Sequence, residues 1–412
     1  MAITKIQSGA FPADVINTAA IDDASITHAK LHTDMDLTGK TVQVATPTAN
    51  PHATTKLYVD TAIAGAGGAS AIGDLSDATT AGTGNLGLVT TLPSLTSGSA
   101  NTVIGYNAGI DITTGYSNVF MGNVAGYNVT TGNNNVGIGE NALLTLTTGS
   151  RNVAIGKSAL YYSTTSTYNV AIGYEALMQN TSSQNNAIGY RAMDSNTTGG
   201  LNNAFGVRAL STNTTGGNNT AVGHEAMVFN TTSSWNTALG YHALRWNTAQ
   251  HNLALGAQSS HSNTTGTSNA AVGTFAMYDN TTGSNNTAVG LSALGSNTTA
   301  SYNTAVGYQA LTSNVIGSEN AAFGFRALDV NLASYNNAFG SETLGSNTTG
   351  ANNTAFGHAS LGNNTTASNN TAVGYQAGYS NTTGTSNTLI GALAGDALTD
   401  ADYNVAIGKE AL

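Results

Sequence analysis

A five-residue motif ending in glycine, Asn-Thr-Ala-Val-Gly in its commonest form, returns along this chain at a counted spacing. Its glycine stands at Gly105, Gly122, Gly139, Gly156, Gly173, Gly189 and onward to Gly408, 19 copies in all. Successive copies lie 17 residues apart, except at 173–189, 240–256 and 324–340, where one residue is missing. A unit this short cannot bury its own apolar face. It must be one coil of a solenoid, stacked on its neighbours. The array fills residues 101–412 and predicts a mainly β protein, a parallel β-solenoid or β-roll of 19 short coils.

Numbered from its asparagine, the coil reads N-T-A-V-G-Y-x-A-L-x-x-N-T-T-G-x-N. Position 1 never varies: Asn101, Asn118, Asn135, Asn152, Asn169, Asn185, Asn202, Asn219, Asn236, Asn252, Asn269, Asn286, Asn303, Asn320, Asn336, Asn353, Asn370, Asn387 and Asn404. Position 4 is always apolar, and position 8 is Ala except at Ser259, Thr343 and Ser360. Positions 1–5 read as a short strand, with the Val-type residue of position 4 turned inward and the Gly ending the strand at a sharp bend. Stacking sets each position-1 Asn over the next, so that side-chain amides hydrogen-bond along the axis as in cross-β amide ladders. A missing rung would strand its neighbours, which accounts for the invariance.

The second segment, as in YEALMQN at 174–180 or VRALSTN at 207–213, is rich in helix formers. Either a single helical turn or a second strand is expected there. Asn-Thr-Thr-Gly then closes the coil, its Gly supplying a left-handed turn. The three short copies lose a residue in this corner, where a turn tolerates the loss. All four prolines, Pro12, Pro47, Pro51 and Pro93, precede the array, as suits a ladder that needs every N–H. At about 4.8 Å per coil, the rod is on the order of 90 Å long.

Only 8% of the residues are charged, against about 25% in an ordinary soluble domain. Asn and Thr carry the polarity instead, which favours backbone and amide groups that satisfy one another in a regular array. A net charge of −10 points away from nucleic acid. There is no cysteine, no secretory leader at the start and no apolar run long enough to insert in a membrane. Before the array, Ile16, Ile21, Ile26 and Leu31 recur every five residues, and residues 65–100 read as a Gly/Ser/Thr-rich collar or linker. The last coil stops at Leu412 without a polar cap. A covering partner, or a C-terminal domain removed in maturation, is expected there.

No catalytic motif stands out, so no enzyme and no cofactor are expected. His242, His251 and Glu225 invite a metal site, but variation on a solvated face accounts for them better. Position 7 reads Glu175, Arg191, Arg208, Glu225, His242 on successive coils, as an exposed column would. Phe229 and Trp246 share a position one coil apart, and Trp235 and Tyr241 are expected beside them. These aromatics either hold a sugar ring or seal the groove between chains, the second being favoured. The Asn-Thr-Thr sequons arise from the repeat, and no glycosylation is expected.

Asn-Val-Ala-Ile-Gly at 152–156, 169–173 and 404–408 resembles the strand motif of trimeric autotransporter adhesin heads, which implies a parallel β-roll with three chains around one axis. A second resemblance covers more of the chain. The opening MAITKI, the stretch ASITHAKL at 24–31 and ATPTANPHATTKLYVDTAI at 45–63 resemble the N-terminal regions of bacteriophage tail fibres, and arrays of NTAVGYxALxxNTTG are similar to their shafts. The resemblance implies a homotrimer, intertwined or side by side, in an extracellular virion. Residues 1–64 would attach to a tail or baseplate protein, 101–412 would form the shaft, and a C-terminal chaperone domain would be cleaved away. Host attachment, with a host surface glycan as a partner, follows from the same resemblance. A cell-surface adhesin or filament subunit, and an ice-binding solenoid using the Thr-Thr pairs, are the alternatives.

Overall fold

The computed structural model describes residues 78–79, 86–88 and 92–412. The expectations for residues 1–64, and for most of the 65–100 collar, lie outside the described residues. The chain divides into Met1–Gly68 and Ala69–Leu412, and the second unit holds the array. There β1 (Ala78–Thr79) pairs antiparallel with β2 (Leu86–Leu88), which pairs parallel with β3 (Thr102–Ile104). From β3 to β21 (Val405–Ile407), each three-residue strand lies parallel to the next, position on position, as in Thr287↔Thr304, Ala288↔Ala305 and Val289↔Val306. The result is a β-solenoid of 17-residue coils, with no helix among the described residues.

In each strand from β3 to β21 the middle residue is buried and the outer two face solvent. The residue that turns inward is therefore position 3, usually Ala, and the larger apolar residue of position 4 turns outward. This reverses the expectation, and the reason is space. Most coils already fill their interior with Ala at position 8, Leu or Met at position 9 and the amide of position 1, as in Ala176, Leu177 and Asn169. What remains fits a methyl group. Where position 3 is larger, as in Val103, Phe120 and Leu389, position 9 of the same coil falls to Gly109, Gly126 and Gly395. A β-carbon on Gly126 would lie 2.7 Å from the Phe120 ring, and one on Gly395 2.7 Å from Leu389. Core volume is balanced within a coil or between neighbours: Gly378, paired with Ala372, is filled instead by Leu389 and Leu361 of the adjoining coils.

The second segment is not helical either. Positions 7 and 9 carry positive φ in every coil, for example Glu175 at 53° and Leu177 at 51°. Alternating right- and left-handed residues turn successive N–H groups along the stack axis rather than around a helix. Glu175 donates back to Lys157 O at 2.9 Å, while Leu177 donates forward to Ala192 O at 3.0 Å. Within the coil, the bonds of this segment are turn bonds, Ala176 to Gly173 O and Asn180 to Leu177 O. A helical turn would spend these donors locally and leave the neighbouring coils unpaired. Each left-handed non-glycine residue costs about 1–2 kcal/mol, which the inter-coil bonds offset.

Position 5 needs Gly for two reasons. Gly173 has φ 135°, and a β-carbon there would sit 2.3 Å from Gly189 O of the next coil. The corner Gly differs from expectation. Gly283 is not left-handed; its β-carbon would meet Ala300 O at 2.2 Å, so close stacking selects it. The left-handed corner residue is position 17, such as Trp235 or Tyr302. In an ordinary corner, Thr197, Thr198 and Gly199 all donate to Thr214 O. In the short coil Asn169–Gln184, Thr181 alone makes that bond, to Thr197 O, and the strand register around Val170 is intact.

Candidate functional site

The position-1 asparagines form a continuous ladder. Oδ1 of Asn286 accepts the main-chain N–H of Asn303 at 2.9 Å, and Nδ2 of Asn303 donates to Gly317 O, at position 15 of its own coil, at 2.9 Å. The pattern repeats from Asn101 to Asn404, and the amides from Asn101 to Asn387 are buried. Each one joins two coils, and all but Asn236 and Asn404, whose Nδ2 turns back to Ser234 O and Asp402 O, also brace their own corner.

A second ladder escaped the sequence reading. Position 12 is Asn from Asn180 to Asn381, and those residues are buried as well. Asn196 Nδ2 donates to Asn180 Oδ1 at 2.7 Å and to Gly199 O at 2.9 Å. The signal was present in the unbroken column, but a turn-forming Asn before Thr-Thr explained it too easily. Toward the first coils the column becomes Ile112, Val129 and Leu146, and after Asn381 it becomes Leu398. Asn381 Oδ1 is accordingly left without a partner. After each short coil the two ladders join: Asn185 Nδ2 reaches Asn180 Oδ1 at 3.1 Å, Asn252 reaches Asn247 at 3.2 Å and Asn336 reaches Asn331 at 3.1 Å. The deletion contracts the corner until position 1 meets position 12.

Polar and aromatic side chains gather at positions 6, 7, 10 and 11 of neighbouring coils. Glu225 is their buried centre. Its Oε1 accepts from Arg208 Nη1 at 2.8 Å, and its Oε2 accepts from Arg245 Nη2 at 2.9 Å and lies 3.2 Å from His242 Nε2. Burial pushes the Glu225 carboxyl up, but Arg245, Arg208 and His242 together outweigh it and hold it below its ordinary range. His242 is lowered by burial and by the Arg245 charge, and His261 by the same two causes, so both imidazoles favour the neutral form. Neutral burial of this kind contributes fully above the ordinary imidazole range and weakens as pH falls toward the depressed folded values.

His251 lies at position 17, away from this cluster; the third neighbour is instead His224, whose ring nitrogen lies within 4.8 Å of donor atoms of Glu225 and His242. The carboxylate is already shared by two guanidinium groups, so a metal ion would have to displace one beside a remaining positive charge. The donor set does not fit a metal.

Phe229 and Trp246 stack at 4.0 Å, and the Arg245 guanidinium lies 5.4 Å from the first ring and 5.2 Å from the second. Tyr241 stacks on His242 at 3.7 Å. Trp235, 59% exposed at position 17, makes no ring contact among the described residues.

On the strand face, position 4 presents an apolar side chain at every coil. Leu239 is 48% exposed and Phe356 56%, and Phe323, Phe339 and Phe356 stack in series at 4.7 and 5.7 Å. Across the position-5 glycine, position 6 adds a broken aromatic column that includes the Tyr174–Tyr190 and Tyr308–Phe325 stacks. In the corner, the Thr197 and Thr264 hydroxyls donate to carbonyls of the next coil, so those donors of the Thr-Thr array serve the stack. The chain matches no protein-family model and no curated protein.

Proposed function

We propose that this chain is a structural fibre protein of a tailed bacteriophage, its solenoid forming the shaft of a parallel homotrimer that acts in host attachment. Its N-terminal region would bind a tail or baseplate protein. The observation that carries the reading is the apolar stripe of position 4. Monomeric soluble proteins rarely expose apolar patches beyond a few hundred Å². This one runs the length of the array. Burying about 1 kcal/mol of side chain per coil gives on the order of 20 kcal/mol per chain. That exceeds the roughly 4–15 kcal/mol lost in association. Coils of equal height bring like against like only when chains run parallel, and a three-fold arrangement lets every stripe face the axis.

The bacteriophage assignment rests on the resemblance of the N-terminal stretches and of the repeat itself. An ice-binding surface draws less support, because Thr hydroxyls in the corner are committed to the next coil. Light scattering of the native protein tests the shaft. A mass of three times the 41.5 kDa chain is expected. A monomer overturns the reading, and an open-ended mass replaces it with a polymerising filament.

A further inference from the structure

The position-11 column runs Phe229, Trp246, Ser262, Asp279 on four successive coils. Phe229 covers one face of the Trp246 indole at 4.0 Å. Arg245 does not cover the other. Its distances to the two rings, 5.4 and 5.2 Å, are nearly equal, so the guanidinium lies beside the stacked pair rather than beyond it. The next rung is Ser262, too short to reach across the indole, and position 6 of that coil shrinks likewise from Tyr241 to Ala257. On the far side the column resumes with Asp279, while His261 stacks on Tyr278 at 5.0 Å and its Nδ1 lies 3.3 Å from Ser262 Oγ, at the side of the recess. One coil is therefore recessed between two larger ones, with an indole as one wall.

We infer that this recess binds a hexopyranose ring of a surface polysaccharide, stacked on the open face of Trp246 in the place of the missing rung. The dimensions agree. Trp246 and Asp279 are two coils apart, about 9.6 Å at 4.8 Å per coil, which leaves room for one saturated ring in stacking contact. The chemistry agrees as well. The C–H face of a pyranose prefers an aromatic platform, and its hydroxyls need donors and acceptors at the rim. Ser262 Oγ, 3.3 Å from His261 Nδ1, lies at the floor of the recess, and exposed Asp279 stands on its far side. The Glu225 hub fixes Arg245 beside the platform, so the indole is held in place before the sugar arrives. The recess lies on the segment after the position-5 bend, on a different face from the apolar stripe, so a homotrimer closed along that stripe leaves it open. This deepens the attachment reading and rests on it for the source of the sugar.

Saturation-transfer NMR with methyl glycosides of glucose, galactose, mannose and N-acetylglucosamine tests the inference on the full chain, independently of its oligomeric mass. At least one glycoside should show saturable transfer to its ring protons. Ser262→Phe supplies the missing rung while keeping Trp246, and should weaken that binding by about tenfold or more. Trp246→Leu, at a side chain 42% exposed, should abolish it with an unchanged circular dichroism spectrum. No saturable transfer from any glycoside, or transfer undiminished in a folded Ser262→Phe or Trp246→Leu protein, overturns the inference.

Discussion

Asn219 ties neighbouring coils together through both its main chain and its side-chain amide. Its main chain donates to Asn202 Oδ1 at 2.9 Å, its Oδ1 accepts from Asn236 N–H at 3.0 Å, and its Nδ2 donates to Ser233 O at 2.8 Å. Alanine there leaves the Asn236 N–H buried and unpaired and removes one of the two amide donors to Ser233 O, which Asn230 Nδ2 still reaches at 3.0 Å. At about 1–3 kcal/mol for an orphaned buried group, Asn219→Ala should cost roughly 1–3 kcal/mol. Coupling in a solenoid runs between neighbours. Hydrogen exchange should therefore show the loss in the coils beside Asn219 while remote coils stay protected. The core follows a similar local rule through volume. Gly126→Leu should fail to fold its coil against Phe120, and Phe120→Ala should lose about 3–5 kcal/mol to a cavity. Combining the two restores the common Ala and Leu pair of the other coils. The double variant should melt above either single one, and additive losses would refute the compensation.

Among elements, the three short coils are natural experiments in corner length. Deleting Thr282 should turn the coil at 269–285 into a fourth. It removes the Thr282 bond to Thr298 O at 3.0 Å and should bring Asn286 Nδ2 onto Asn280 Oδ1, as at the other deletions. The melting temperature should fall only slightly, consistent with the small cost of tolerated loop changes. Deleting Ala288 instead shifts its strand by one residue, turns Val289 inward and should unfold the surrounding coils. Such corners were legible in the sequence because only the spacing between Gly189 and its predecessor had to be counted. The Asn ladder of position 1 was legible because nothing but Asn occurs there. The facing of the strand was not. In Thr-Ala-Val, both Ala and Val are apolar, and three residues give alternation too little length to show which turns inward. The second segment misled in another way, since Glu175 and Leu177 are helix formers that the stack holds at positive φ. Of the aromatic site, the Phe229 and Trp246 stack followed from equal repeat position, whereas Trp235 at position 17 belongs to a corner that the repeat carries elsewhere.

At the scale of the whole molecule, the outward strand face decides what the rod can be. An isolated β-solenoid needs a buried inner face and a wettable outer one, and this chain supplies the first with small residues while leaving the larger apolar ones outside. Ala305 is fully buried, whereas Phe356 is 56% exposed. That distribution is wasteful in a monomer and ordered in a bundle. Leu239→Lys with Phe356→Lys should separate the two roles. Both side chains point away from the solenoid core, so coil formation should survive, with the β circular dichroism spectrum unchanged. If the stripes meet at a common axis, three copies of each lysine would crowd together with their charges desolvated, at a cost of several kcal/mol per site. The native mass should then fall from three chains toward one, and exposed apolar surface should begin to bind a hydrophobic dye. Lowering the ionic strength should deepen the effect, because screening between like charges weakens. A double variant that keeps the parent mass would place the interface elsewhere, on the aromatic column of position 6 or on the corners. One that unfolds outright would show that the stripe belongs to the core of the coil.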